Sequence, residues 1–219
     1  LGLLTLAACG GGGGTSGSGI TVTGNVQKGP LSDAFVFLDY NGDELYDDGT
    51  GSNVAEPSVR SDSSGNFTLQ ATQDNFSIIA ITDDSTVDTS SGVVLDGVIL
   101  KAPEGSSMLT PATTLMKEGN LTATQLVAVL GLPDTVNPLT FDAFASDVNA
   151  TEALAVEKAS HQIMSVINAF AAAVEGSGAS QSDSFKTALG SVVEVIKVNA
   201  AANTTIDLAS NTDLNSIKT

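Results

Sequence analysis

The period of the apolar positions changes once along the chain. From residue 20 to residue 100 it is two, or the apolar runs are short. Ile20, Val22, Gly24 and Val26 alternate with polar residues, the pattern of a half-buried strand. Lys28-Gly29-Pro30 ends that run, and Ala34 to Leu38 predicts a second, more apolar strand. Phe67 and Leu69 alternate behind the turn signal Ser64-Gly65-Asn66. Phe76 to Ile81 is a further strand, closed by Thr82-Asp83-Asp84. Val93-Val94-Leu95 and Val98-Ile99-Leu100 flank Asp96-Gly97, which predicts a hairpin with a type I′ turn. No helical period intervenes, which speaks against βαβ units. Several short strands with regular turn signals predict an antiparallel sandwich.

The second half reads as helices. Thr110-Pro111 is a cap followed by proline at the first helical position. Thr122 to Gln125 is a capping box ahead of Leu126, Val127, Val129 and Leu130, stopped by Gly131 and Pro133. Asn149 to Glu152 is another box. It opens a long segment in which Val156, Ala159, Ile163, Val166, Ile167, Phe170 and Val174 share one face, ending at Gly176-Ser177-Gly178. Phe185, Leu189, Val192, Val193 and Ile196 repeat the pattern to about Ala202, so an antiparallel helical hairpin is expected. Neither helix is apolar all round, as a membrane span would be. Asn211 starts one more helix. The expected fold class is α+β in separate domains: an antiparallel β-sandwich over residues 20–105, then an α-helical hairpin or bundle over 106–219.

The beginning of the chain has a different character. Leu1 to Ala8 is a short apolar run with no basic flank, well below the ~20 residues that span a bilayer. Leu6-Ala7-Ala8-Cys9 resembles a bacterial lipobox. That resemblance implies that residues 1–8 are the remnant of a signal peptide and that Cys9 carries a diacylglycerol anchor. Gly10 to Gly19 reads as a Gly/Ser tether of random-coil reach, roughly 15–20 Å. By the same resemblance, Gly10 after the cysteine points to the outer membrane, facing the periplasm or the cell surface.

Three stretches carry a second resemblance. Gly24-Asn25-Val26-Gln27-Lys28-Gly29-Pro30-Leu31, then Asp33 to Asp39, then Asp62-Ser63-Ser64-Gly65-Asn66-Phe67 resemble the prealbumin-like sandwich modules of bacterial surface proteins. These include the B-type repeats of staphylococcal adhesins and the carboxypeptidase regulatory-like domains. The resemblance covers about residues 20–105 and implies a prealbumin- or Ig-like, non-enzymatic stalk or adhesion module. Leu100 to Leu115, with Ala102-Pro103, Gly105 and Thr110-Pro111, is similar to the junction where a sandwich passes into a helical module in large marine-bacterial surface proteins. It implies that the chain is a piece of a longer protein.

Composition narrows the chemistry. The chain has 219 residues with 25 acidic and 8 basic side chains, a net charge of −17 that repels nucleic acid. One cysteine and one histidine exclude an internal disulfide and a Cys/His zinc site. At 42% hydrophobic and 15% charged, the acidity does not imply disorder.

Part of the acidity is concentrated. Asp39, Asn41, Asp43 and Asp47 occupy the first, third, fifth and ninth positions of a loop, with Leu45 at the seventh offering its carbonyl and Asp48 beside them. Such alternation of oxygens suits Ca2+, which takes six to eight oxygen ligands at about 2.3–2.6 Å. The segment resembles the acidic loops of calcium-dependent surface modules, with two departures. Glu44 stands where a turn glycine is expected, and Thr50 where a bidentate glutamate would be. Glu56 is placed to supply the missing carboxylate from further along. The alternative reading is a solvated acidic loop. Asp83, Asp84, Asp88 and Asp96 form a looser acidic set, read as a polar loop.

Enzymatic signatures are missing. The lone His161 falls on the polar side of its helix, about 200° from Ile163. The chain contains neither Gly-x-Ser-x-Gly nor a phosphate loop ending in Lys-Ser/Thr. Aromatics are 5% with no tryptophan, against a glycosidase cleft or sugar-binding face. Two function classes therefore stand side by side. One is a non-enzymatic envelope lipoprotein for surface display, adhesion or assembly, with Ca2+ stiffening the sandwich and a protein or surface polymer as partner. The other is an envelope receptor or inhibitor that captures a ligand between the strand and helix regions.

Overall fold

Strand-forming sequence alternates every two residues, and the structure realises it in short pieces. It is a computed structural model, and it describes residues 19–215 and 217. Cys9 and the tether as far as Ser18 lie outside the described residues. Ten strands come first: β1 (Ile20–Val26), β2 (Leu31–Ser32), β3 (Phe35–Asp39), β4 (Ser58–Arg60), β5 (Asn66–Ala71), β6 (Ser77–Ile81), β7 (Val87–Asp88), β8 (Val93–Val94), β9 (Ile99–Pro103) and β10 (Met108–Leu109). Five helices follow: α1 (Pro111–Gly119), α2 (Ala123–Leu130), α3 (Ala150–Glu175), α4 (Gln181–Ala202) and α5 (Asn211–Leu214). The fold is an α+β mix with three sheets, ordered β10-β1-β5, β2-β7-β8 and β4-β3-β6-β9. Pairing is antiparallel except where β1 meets β10.

The four-stranded sheet is buried on both faces, which explains why its strands read as apolar runs. Its register aligns Val36, Ala80 and Leu100 on one face and Phe37, Ile79 and Lys101 on the other. All six are buried, the lysine included. β9 is an edge strand, and α1 covers it. Thr114 Oγ1 accepts the Lys101 N–H at 2.9 Å and donates to Thr110 O at 2.8 Å, so the helix takes up a backbone donor that an open edge would leave unpaired.

Gly24 has a packing reason. A Cβ there would stand 2.6 Å from the Phe67 ring and 2.8 Å from Ser107 O, so only glycine lets the ring lie across β1.

The caps behave as their sequences predict. Thr110 and Thr113 cap α1 reciprocally, and Thr122 and Gln125 do the same for α2. At α3 the box is only half made. Asn149 accepts from Thr151 and Glu152 N–H, while Glu152 turns instead to accept from Thr135 Oγ1.

One local expectation fails. Asp96-Gly97 is not the turn of a hairpin. β8 pairs with β7 and β9 pairs with β6, so the chain changes sheets at this point. Gly97 does adopt the positive φ of 73°, but its N–H binds Thr82 O at 3.1 Å, and Asp96 O accepts from Gln181 Nε2 of α4. Long-range partners, rather than the dipeptide, decide the path.

Apolar burial is continuous across the change from strands to helices. Val36, Leu38, Ile78 and Leu100 belong to the same cluster as Leu109, Leu115, Leu126, Ile163, Leu189 and Ile196. α3 and α4, joined through Gly176 to Ser180, pack against each other and against α1. A smaller cluster of Val127, Leu132, Val136, Ala143, Val156 and Ala159 lies beside it.

A shared core predicts joint unfolding. Leu100→Ala in the sheet and Leu115→Ala in α1 should each cost about 2–5 kcal/mol. Tyrosine emission reports only Tyr40 and Tyr46, beside the sheet, whereas helical circular dichroism reports α1 to α4. In urea both probes should show one coincident transition for the parent chain, and both should move together in either variant. Separate transitions would mean that strands and helices are independent domains.

Candidate functional site

The acidic loop leaves β3 at Asp39 and returns to the sheet at β4. Short side chains with oxygens fold it upon itself. Asp39 Oδ1 accepts from Gly42 N–H at 2.7 Å and Oδ2 from Glu44 N–H at 3.3 Å. Asn41 Oδ1 accepts from Asp43 N–H, and Asp43 Oδ1 from Leu45 N–H, successive turns of the kind that aspartate and asparagine favour. Glu56 closes the base. Its two carboxylate oxygens accept from Tyr40 N–H at 2.8 Å and Asp47 N–H at 3.0 Å.

Carboxylates therefore crowd at the base of the loop. Asp39 is 2% exposed and Glu56 4%. Burial pushes the Glu56 carboxyl up, the two backbone N–H donors pull it down, and the charges of Asp39 and Asp47 push it up again. Between Asp43 and Asp47 stands the Asn41 amide, whose Nδ2 donates to Asp43 Oδ2 at 3.0 Å and to Asp47 Oδ2 at 2.8 Å. Asn53 Nδ2 donates to the other Asp47 oxygen at 2.6 Å. Asp48 lies outside this knot and accepts from Thr50 N–H. Leu45 is exposed.

The structure thus brings Asp39, Asn41, Asp43, Asp47 and Glu56 into one hydrogen-bonded network and leaves Asp48 at its margin. In kind, the oxygens fit a hard cation. In this arrangement, among the described residues, no three His, Cys, Asp or Glu side chains are grouped to hold a metal ion. The Asn41 amide separates the two central carboxylates. The second acidic set is not part of this loop. Asp83 makes a bidentate pair with Arg60, Asp88 lies near Lys28, and Asp96 is exposed.

Glu44, a departure from the acidic-loop pattern, has two roles. Its backbone takes φ of 64°, the left-handed value that a turn glycine would adopt there. Its carboxylate meets Lys101 Nζ at 2.6 Å and Lys186 Nζ of α4 at 3.4 Å. Lys101 also meets Glu118 of α1 at 2.6 Å. Burial disfavours the Glu44 charge, but the two ammonium groups outweigh it and hold the carboxyl below its ordinary range. The loop is thereby clamped to β9, α1 and α4. Tyr46 reinforces the seat by meeting Phe35 and Phe37 edge-on at 5.1 and 5.8 Å.

Sequence reasoning missed Lys101. The available signal was a single charge inside the run Val98-Ile99-Leu100-Lys101-Ala102, where a buried cation must find carboxylates. His161 is exposed, on the polar side expected of it. Where strands meet helices, an open groove of about 430 Å³ is lined by Leu95, Asp96, Val98, Asn168, Glu175 and Phe185. No helix among the described residues is long and apolar enough to cross a membrane. Comparison with protein-family models, curated proteins and solved structures gives no match.

Glu44 separates backbone from charge in a simple test. Glu44→Ala should lose the clamp and keep the left-handed strain, whereas Glu44→Gly loses the clamp and relieves the strain. Urea unfolding should find both variants less stable than the parent, with the alanine variant worse by about 1 kcal/mol.

Proposed function

We propose that this chain is a non-enzymatic module of the bacterial cell envelope, anchored through a lipid on Cys9, in which strands and helices act as one stiff unit for surface display or adhesion. The observation that carries the reading is the clamp. Glu44, Lys101, Glu118 and Lys186 tie the acidic loop, the four-stranded sheet and two helices together across the continuous core. A receptor that closes on its ligand needs a hinge between its halves, and this join opposes one. The β10-β1-β5 sheet is read as the second layer of a β-sandwich, over the face made by Val36, Ala80 and Leu100, with α3 and α4 as the helical hairpin.

Ca2+ is the ion proposed for the loop. Asp39, Asn41, Asp43, Asp47 and Asp48 would supply side-chain oxygens and Leu45 its carbonyl, with Glu56 as a further carboxylate or as the brace of the base. The chemistry that the ion supplies is charge neutralisation. It would relieve the repulsion that Asp39 and Asp47 impose on Glu56. Entry requires the Asn41 amide to give up its two carboxylates.

Calorimetric titration with Ca2+, paired with thermal unfolding in millimolar Ca2+ against EDTA, tests the ion. The parent chain should gain about 2.7 kcal/mol once free Ca2+ is about 100-fold above Kd. A chain carrying Asp43→Asn with Asp47→Asn should gain nothing. An unchanged midpoint in the parent chain would remove Ca2+ from the reading and leave a self-bonded acidic loop. For the anchor, the parent chain behind a complete leader should incorporate labelled palmitate in a bacterial host, and Cys9→Ala should not. Labelling of both, or of neither, would rule out Cys9 as the attachment point.

A further inference from the structure

Away from the acidic loop, one face of α4 is left without a neighbour. The helix turns Phe185, Ala188, Leu189, Val192 and Ile196 into the core and packs against α3, α1 and α2. On its other side, among the described residues, lies an open and mostly apolar groove of about 530 Å³, lined by Thr187, Gly190, Ser191, Glu194, Val195 and Val198. Val198 is 67% exposed. Gly190 has no role inside the chain. It stands in the middle of the helix, and a Cβ built on it would meet nothing within 4 Å. Glycine weakens a helix relative to alanine, so a bare backbone here costs stability and gives no packing in return. What it does permit is the close approach of another helix.

The charges on this face are arranged about the glycine. At 100° per residue, Asp183, Lys186, Gly190, Glu194, Lys197 and Val198 fall on a stripe about 120° wide. Asp183, Lys186, Glu194 and Lys197 are all exposed. Lys186 and Glu194 stand four residues before and after Gly190, and Asp183 and Lys197 stand seven before and after it. Each acid is therefore balanced by a base at the same distance on the other side. In the single chain Lys197 reaches Glu194 at 2.8 Å and Lys186 reaches Glu44 at 3.4 Å.

We infer that this face binds a second copy of the chain, α4 against α4, antiparallel about a two-fold axis at Gly190. In an isologous pairing of that kind the residue a given number of places after Gly190 faces the residue the same number of places before it. Glu194 then meets the partner's Lys186, and Lys197 meets the partner's Asp183, each contact made twice. The two glycines let the helix backbones close on each other, and Val198 leaves water. A parallel pairing would set every residue against itself, like charge on like. One helix face lies at the low end of interface sizes, so the dimer is weak and reversible. The net charge of −17 on each copy opposes approach from afar. At about 0.15 M salt, with a screening length of about 8 Å, that repulsion is reduced while the contact pairs keep more of their attraction.

Sedimentation at physiological salt tests the pairing, on the whole chain carrying Cys9→Ala, which removes the one thiol able to cross-link two copies. The mass should rise with concentration from that of one chain to that of two. Gly190→Gln puts a side chain into the contact and should leave a monomer at concentrations where its parent is a dimer. Nothing in the single chain obstructs that side chain, and the helix gains from losing its glycine, so the variant should stay folded by circular dichroism. A second arm uses charge. Asp183→Lys alone sets lysine against Lys197, and Lys197→Glu alone sets glutamate against Asp183, so each chain by itself should lose the dimer. Mixed in equal amounts, the two are complementary again and should sediment as a dimer. A parent chain that stays monomeric up to millimolar concentration leaves this face to a different partner and overturns the pairing. A dimer that survives Gly190→Gln, or a charge-swapped mixture that stays monomeric, also overturns it.

Discussion

A lysine buried in the middle of an apolar strand sets the terms for what surrounds it. Desolvating an ammonium costs several kcal/mol unless carboxylates come to meet it. Lys101 recruits two, Glu118 from α1 and Glu44 from the acidic loop. Each is itself only partly exposed, so the three charges hold one another in place more firmly than surface pairs do. Everything that must lie near Lys101 is thereby fixed: α1 along the edge of β9, the acidic loop over the face of Phe35 and Phe37, and α4 through Lys186. The cluster does more to specify this arrangement than to stabilise it. An apolar residue in place of Lys101 would pack as well but would not select a partner.

Much of the local structure was legible because local rules govern it. The strands β1, β3, β5 and β6 follow from alternation or from apolar runs, and the caps of α1 and α2 follow from their threonines. Strands of two or three residues such as β2, β4, β7 and β10 carry too few positions to show a period, and they exist only through their partners. The Asp96-Gly97 turn shows the limit most clearly. The dipeptide allows a positive φ, but a hairpin also needs flanking strands that prefer each other, and β9 prefers β6 while β8 prefers β7.

The candidate site was legible in composition and illegible in linkage. Spacing alone brought Asp39, Asn41, Asp43 and Asp47 together, because alternating side chains in a tight loop converge. The reach of Glu56 back to the loop base followed from counting what the loop lacked. Nothing in the spacing foretold that Asn41 would stand between two carboxylates, since an amide presents either an oxygen or a nitrogen to its neighbours. Nor could Glu44 be paired with Lys101 and Lys186 from sequence, because those contacts join residues far apart along the chain. What read as a departure from a turn glycine is the residue that fastens the loop to the helices.

The placement of β1 has a mechanical consequence. Six residue pairs bind it to β5, and its last two residues bind β10, which leads straight into α1. Tension applied to the chain ahead of Ile20 and directed along β1 would load that ladder in shear, so its bonds resist together instead of parting one by one. The strain would then divide between the β5 side and, through β10, the first helix. A chain pulled from this end would yield abruptly, when the bonds of the ladder give way together.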